Sequence, residues 1–191
     1  SDVYKRQLYY HKAPHRNWMP AQRHLGINDD RVFPEPFNLL DDYSGRGSAA
    51  RGQAMEIGRD MWPEWDLKLM TPEQLAQSYV LETSGDANKD DVSRANDWRS
   101  SVMQYQAAYN RMTPEERANW DRAYAPRIAE YERMKGRVSQ EELTRWKYQQ
   151  YMKDYCAVIK GVDENVGRLL DYLEEIGELD NTICLLYTSD A

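Results

Sequence analysis

Leu8-Tyr9-Tyr10-His11-Lys12-Ala13-Pro14-His15-Arg16-Asn17-Trp18-Met19-Pro20 is the stretch on which the reading of this 191-residue chain turns. Leu8–Tyr10 is a short apolar run that reads as the end of a buried strand. It opens into a loop holding two of the chain's 3 histidines together with Lys12 and Arg16. Pro14 fixes its own φ and turns Ala13 away from the helical region, so the run does not continue as helix. A strand ending in a proline-pinned cationic loop presents groups to an anion, and it predicts an α/β protein with a candidate site at residues 11–18.

Downstream the chain is punctuated by Pro20, Pro34 and Pro36, with Asn28-Asp29-Asp30 as a turn and an irregular stretch through Gly47. A helix is expected over about 48–61, stopped by Trp62-Pro63. Thr71-Pro72-Glu73-Gln74 and Thr113-Pro114-Glu115-Glu116 are helix starts, each with an N-cap, a first-turn proline and capping-box spacing. Ser84–Asn88 breaks the first helical region, helix resumes over about 89–110, and Pro126 is expected to break or restart the helix after Thr113. Ser139-Gln140-Glu141-Glu142 opens the longest element. Its apolar residues Tyr155, Val158, Ile159, Val162, Val166, Leu169, Leu170 and Leu173 recur every three or four positions and predict a core-facing stripe. Gly177 ends that helix as a C-cap, and Asn181-Thr182-Ile183 leads into a second buried strand. Strand, helical excursion and strand make an α/β order.

Composition narrows the function. A net charge of -7 argues against general nucleic-acid binding, so the cations at 11–16 are a local feature. Mean hydropathy of -0.90 and the absence of a long apolar run leave no expected membrane span. The 2 cysteines, Cys156 and Cys184, provide no disulfide framework. Trp (6) and Tyr (14) outnumber Phe (2), a bias found in carbohydrate-handling proteins and in ordinary cores alike.

Both ends are expected to be foreign to the fold. Ser1–Gln7 and Cys184–Ser189 can be encoded by one DNA word read on opposite strands, and that word matches a transposon adapter. Residues 1–7 and 184–191 are therefore read as adapter-derived, and 8–183 as the central part of one catalytic domain.

Leu8–Trp18 resembles the central strand and loop of bacterial sulfatases, especially those similar to N-acetylglucosamine-6-sulfatases. Val162-Asp163-Glu164-Asn165-Val166-Gly167-Arg168-Leu169-Leu170-Asp171-Tyr172-Leu173 resembles the sulfatase helix that precedes a metal-ligand strand, and Asp180–Ile183 the start of that strand. Asp41-Asp42-Tyr43 and Asp66-Leu67-Lys68 also fit this sub-group. The resemblance implies an alkaline-phosphatase-like α/β fold, helix-rich in this portion. It implies hydrolysis of a sulfuric ester on a sulfated carbohydrate and a periplasmic or extracellular setting. It also implies calcium and a formylglycine made from Cys/Ser-x-Pro-x-Arg in the full-length protein. This sequence lacks that motif: Cys156 is followed by Ala157-Val158-Ile159-Lys160. Asp41-Asp42 lies on the wrong side of the loop for the family's ligand pair, and Asp190 falls in the adapter-like end. No metal ligand is therefore assigned, and these residues alone are expected to be inactive.

The resemblance assigns His15 as the proton donor to the ester oxygen, a task suited to an imidazole near neutral pH. Lys12 is assigned to charge on a sulfate oxygen. His11, Arg16, Asn17 and Trp18 are candidates for substrate binding, with Arg for anionic groups and Trp for stacking on a sugar face. Loop anchoring is the competing reading for the last three. His24 lies outside any motif and is read as surface, and Asp41-Asp42 as a capping turn or solvated pair. Two alternatives stand beside the sulfatase: a phosphoric- or phosphonic-ester hydrolase of the same superfamily, and a non-catalytic helical interaction module.

Overall fold

The computed structural model describes residues 7–77 and 89–186, with the side chains of 77 and 89–96 outside the description. Among the described residues there are five helices: α1 (Ser48–Arg51), α2 (Pro72–Gln77), α3 (Lys89–Asn110), α4 (Pro114–Met134) and α5 (Gln140–Glu175). Short 3-10 turns lie at Gln22–His24 and Leu179–Asn181. The expected break at Ser84–Asn88 lies outside the described residues.

The predicted helix starts form as local chemistry requires. Thr71 Oγ1 accepts from Gln74 N while Gln74 Oε1 accepts from Thr71 N, closing a capping box on α2. Thr113 and Glu116 do the same for α4. Ser139 accepts from Glu142 N at the head of α5. At its far end Gly177 takes φ +72°, Gly177 N donates to Glu174 O and Glu178 N donates to Leu173 O. This is a Schellman ending, which spends the left-handed residue where glycine takes it without a steric penalty.

Three expectations are corrected. The helix expected over 48–61 shrinks to α1, because Gly52 closes it and the carbonyls of Gly58 and Met61 are drawn to Lys147 Nζ at 3.0 and 3.1 Å. Pro126 does not break α4. It sits on the exposed side of a helix whose other face is pinned by buried Trp120, Tyr124 and Tyr131. Among the described residues Leu8–Tyr10 and Asn181–Ile183 are not strands. A strand needs a ladder partner, and these segments find none: Leu8, Tyr10 and Ile183 stay exposed.

α3 and α4 form an antiparallel hairpin around an aromatic core. Trp120 stacks on Tyr124 (4.6 Å between ring centroids) and donates from Nε1 to Tyr105 Oη at 3.0 Å. Tyr109 Oη donates to Asp121 at 2.9 Å, and Leu75 and Val102 fill the remainder. α5 then runs back along α4, with Tyr131 stacked on Trp146 and Leu67 and Leu69 beneath them. Part of the Tyr and Trp excess thus lies in this core, where Trp120 Nε1 and Tyr109 Oη find partners while Trp146 Nε1 is buried without one.

Irregular segments are tied to α5 by side chains that stand in for a sheet. Gln149 accepts from Phe33 N and donates to Phe33 O, Tyr148 Oη donates to Pro34 O, and Asn28 Nδ2 donates to Lys153 O. The second half of the predicted stripe differs from expectation. Val158 is buried, whereas Val162, Val166, Leu169, Leu170 and Leu173 are only half-buried and Ile159 is exposed. The described residues provide too little surface to cover them.

Candidate active site

Residues 12–15 form a turn closed by His15 N donating to Lys12 O at 3.0 Å. Lys12 and His15 are both exposed on it. His15 Nδ1 lies 2.5 Å from the Arg16 carbonyl. A carbonyl only accepts, so Nδ1 carries the proton there and Nε2 remains the atom open to an approaching molecule. His11 Nε2 lies 3.1 Å from Asn165 Nδ2 on α5, which brings the first histidine to the helix rather than to His15.

The three residues after His15 bind the loop to the segment 62–68. Arg16 Nε and Nη2 donate to Asp66 Oδ1 and Oδ2, both at 2.6 Å. Asp66 is 1 % exposed and also accepts from Trp62 N at 2.7 Å. The guanidinium lies over the rings of Trp65 (4.5 Å) and Trp62 (5.5 Å). A planar bidentate pair with aromatic faces against it is an arrangement that lysine does not reproduce. The hydrogen bonds to Asp66 hold the Arg16 guanidinium above its ordinary range against the opposing effect of burial. Asn17 Nδ2 donates to Trp65 O at 3.1 Å, and Trp18 meets Tyr151 edge-on at 4.6 Å.

Behind the loop is a buried charge cluster that sequence reading missed. Lys68 is fully buried at φ +56°, and its Nζ donates to Asp66 O (2.8 Å) and Asp154 Oδ2 (2.7 Å). Asp154 also accepts from Tyr124 Oη (3.1 Å) and Arg127 Nη1 (2.6 Å), and Arg127 Nη2 reaches Asp29 at 2.7 Å. Burial drives the Lys68 ammonium below its ordinary range, with Asp154 opposing it, and drives the Tyr124 phenol well above its own. Trp62-Pro63-Glu64-Trp65-Asp66, an acid beside paired tryptophans, is the sequence signal that could have pointed to an arginine cradle.

His24 is corrected from surface to interior: it is 4 % exposed, with Nε2 2.9 Å from Glu164 Oε1 on α5. Arg23 Nε binds the same carboxylate at 2.9 Å. These hydrogen bonds, His24's first, hold Glu164 below the usual carboxylate range. Asp41 and Asp42 form a tight turn, accepting from Tyr43 N and Ser44 N at 2.8 Å each, and no helix starts there.

The calcium and formylglycine that the resemblance implies find no matching set among the described residues. Among the described residues no group of His, Cys, Asp or Glu is arranged to hold a metal ion. Cys156 lies within α5, outside any Cys/Ser-x-Pro-x-Arg run. Nor is any described helix long and apolar enough to cross a membrane.

The sulfatase family profile matches residues 95–191, just over half of the chain. An N-acetylglucosamine-6-O-sulfatase of Bacteroides thetaiotaomicron is 51% identical over 183 residues, 96% of this chain and 28% of the relative. An uncharacterized sulfatase of Schizosaccharomyces pombe is 49% identical over 39 residues, 20% of this chain and 7% of that protein. A solved structure of a protein in complex with its substrate D-glucosamine-2-N,6-O-disulfate superimposes with a TM-score of 0.71 at 51% identity, covering 90% of this chain and 30% of that one. This chain belongs to the sulfatase family. Its fold is a helix-rich portion of the alkaline-phosphatase-like α/β sulfatase fold, and it spans less than a third of the length of the Bacteroides relative and of the solved structure.

Proposed function

We propose that residues 8–183 are the central part of the catalytic domain of a sulfuric-ester hydrolase, with residues 1–7 and 184–191 adapter-derived. In the complete protein it removes sulfate from a sulfated glycan or amino sugar, the 6-O-sulfate of a glucosamine being the first candidate. Support comes from the relatives named for that chemistry. The observation that carries the reading is the turn itself: exposed His15 with Nδ1 committed to a carbonyl and Nε2 open, and exposed Lys12 three residues before it.

On this reading Lys12 sits against a sulfate oxygen and offsets charge as the ester breaks. The S–O bond to the sugar opens, its electron pair passes to the ester oxygen, and His15, acting as the imidazolium with Nδ1–H on the Arg16 carbonyl, gives its Nε2 proton to that oxygen. The sulfuryl group goes ultimately to water, giving the sugar alcohol and hydrogen sulfate. Calcium and formylglycine, which these residues do not fit, belong to parts of the protein outside this chain. Arg16, Asn17 and Trp18 serve by holding the turn in place, since their own contacts run to Asp66, Trp65 and Tyr151.

The test is turnover of glucosamine 6-sulfate by the full-length enzyme. His15→Ala is expected to lower kcat by roughly 100-fold or more, the scale of a lost general acid. Unchanged turnover in both His15→Ala and Lys12→Ala would remove the assignment.

A further inference from the structure

We infer that Asp66 is a positioning residue for His15, acting through Arg16 from fifty positions away in the chain. The inference rests on the proposed role of His15 and deepens it. Asp66 is buried and its carboxylate accepts three hydrogen bonds: two from the Arg16 guanidinium at 2.6 Å and one from Trp62 N at 2.7 Å. The guanidinium is therefore held in one plane, with Trp65 and Trp62 against its faces. The backbone of the same residue carries the carbonyl that fixes His15 Nδ1 at 2.5 Å. Asn17 Nδ2 on Trp65 O pins the next residue, so the Arg16 peptide is anchored at its side chain and on its C-terminal side.

The chemistry needs this. An imidazole on an exposed turn rotates and exchanges tautomers freely. A proton donor has to keep Nε2–H within reach of one oxygen, and misplacement by about 1 Å reduces the rate by orders of magnitude. Asp66 removes that freedom without touching substrate. Its charge matters as well as its shape, because an amide at this position offers one acceptor to a fork that presents two donors.

The experiment compares Asp66→Asn, Arg16→Lys and His15→Ala in the full-length enzyme on two esters. Glucosamine 6-sulfate releases a primary alcohol that needs the proton; 4-nitrophenyl sulfate releases a phenolate that leaves without it. The ratio of the two kcat/KM values is independent of how much of each variant is folded. Asp66→Asn is expected to lower activity on the sugar sulfate about tenfold more than on the aryl sulfate, in the same direction as His15→Ala and by less. The limb of the pH profile that disappears in His15→Ala is expected to move in Asp66→Asn. Where Asp66→Asn yields no soluble enzyme, Arg16→Lys is read the same way, since it keeps the charge and loses the fork. Equal losses on both esters with the limb unmoved overturn the positioning role. An unselective His15→Ala overturns instead the reading of His15 on which it rests.

Discussion

Asp154 is the residue with most to lose. One buried carboxylate receives Lys68, Tyr124 and Arg127, and through Arg127 it is joined to Asp29. Asp154→Asn leaves a fully buried ammonium without its counter-charge, and breaking a buried pair in this way costs about 3–5 kcal/mol. The urea midpoint is expected to fall accordingly, with part of the loss recovered by adding Lys68→Met. A drop under about 1 kcal/mol would mean that the cluster does not hold these segments together. Tyr109 allows a pH test. Burial, and then its bond to Asp121, push its phenol up to about 12 from an ordinary value of 10.0. A raised folded value means stability that is present below pH 10 and lost as pH rises through 12. Tyr109→Phe is expected to flatten the decline in stability across that window in denaturant titrations. At this scale the sequence was legible only in part. The 11–18 loop stood out because its cations crowd into a few positions. His24, Lys68 and Asp154 did not, since burying a charged residue depends on partners tens of residues away, which neither local pattern nor composition encodes.

Helix ends were legible because capping is local. Thr71 with Gln74 and Thr113 with Glu116 satisfy each other within a single turn, so their spacing is enough to predict them. Pro126 and the short α1 were not, because tertiary contacts overrode local preference in both. Gly58 shows how. A Cβ there would lie 2.5 Å from Thr144 Oγ1 on α5, so this irregular segment approaches the helix closely only as glycine. Gly58→Ala is expected to destabilise by about 1–3 kcal/mol through overpacking. Thr144→Ala is expected to recover much of that loss in the double variant, because it removes the atom in the way. Thermal melts of the four proteins in this cycle measure the coupling, and strict additivity would contradict the close approach.

For the molecule as a whole, α5 divides into two unlike halves. Its first half is covered by the segments 28–36 and 56–69 and by α4, whereas the half-buried Val162, Val166, Leu169, Leu170 and Leu173 meet little of the described residues. Amide hydrogen exchange over 162–173 is therefore expected to be faster in the isolated chain than in the complete enzyme, while 143–158 exchanges alike in both. Equal protection over 162–173 would mean that the rest of the protein leaves this face bare. The stripe itself was legible from its period. What covers it was not, because periodicity identifies a face and leaves its neighbour unnamed. The two predicted strands failed for a related reason: an edge is recognisable from sequence, but the ladder that makes it a strand has to be supplied by another stretch of chain.

The bond between Arg16 and Asp66 also closes a ring in the polypeptide. Inside that ring, residues 37–55 run mostly over the surface, with Phe37 and Met55 almost wholly in solvent. Because the ring is fastened at its neck, changes of length or sequence along that exposed arc need not be felt by Lys12 and His15. The same scaffold can thus exchange its outer loop for another while the turn proposed as the site keeps its geometry.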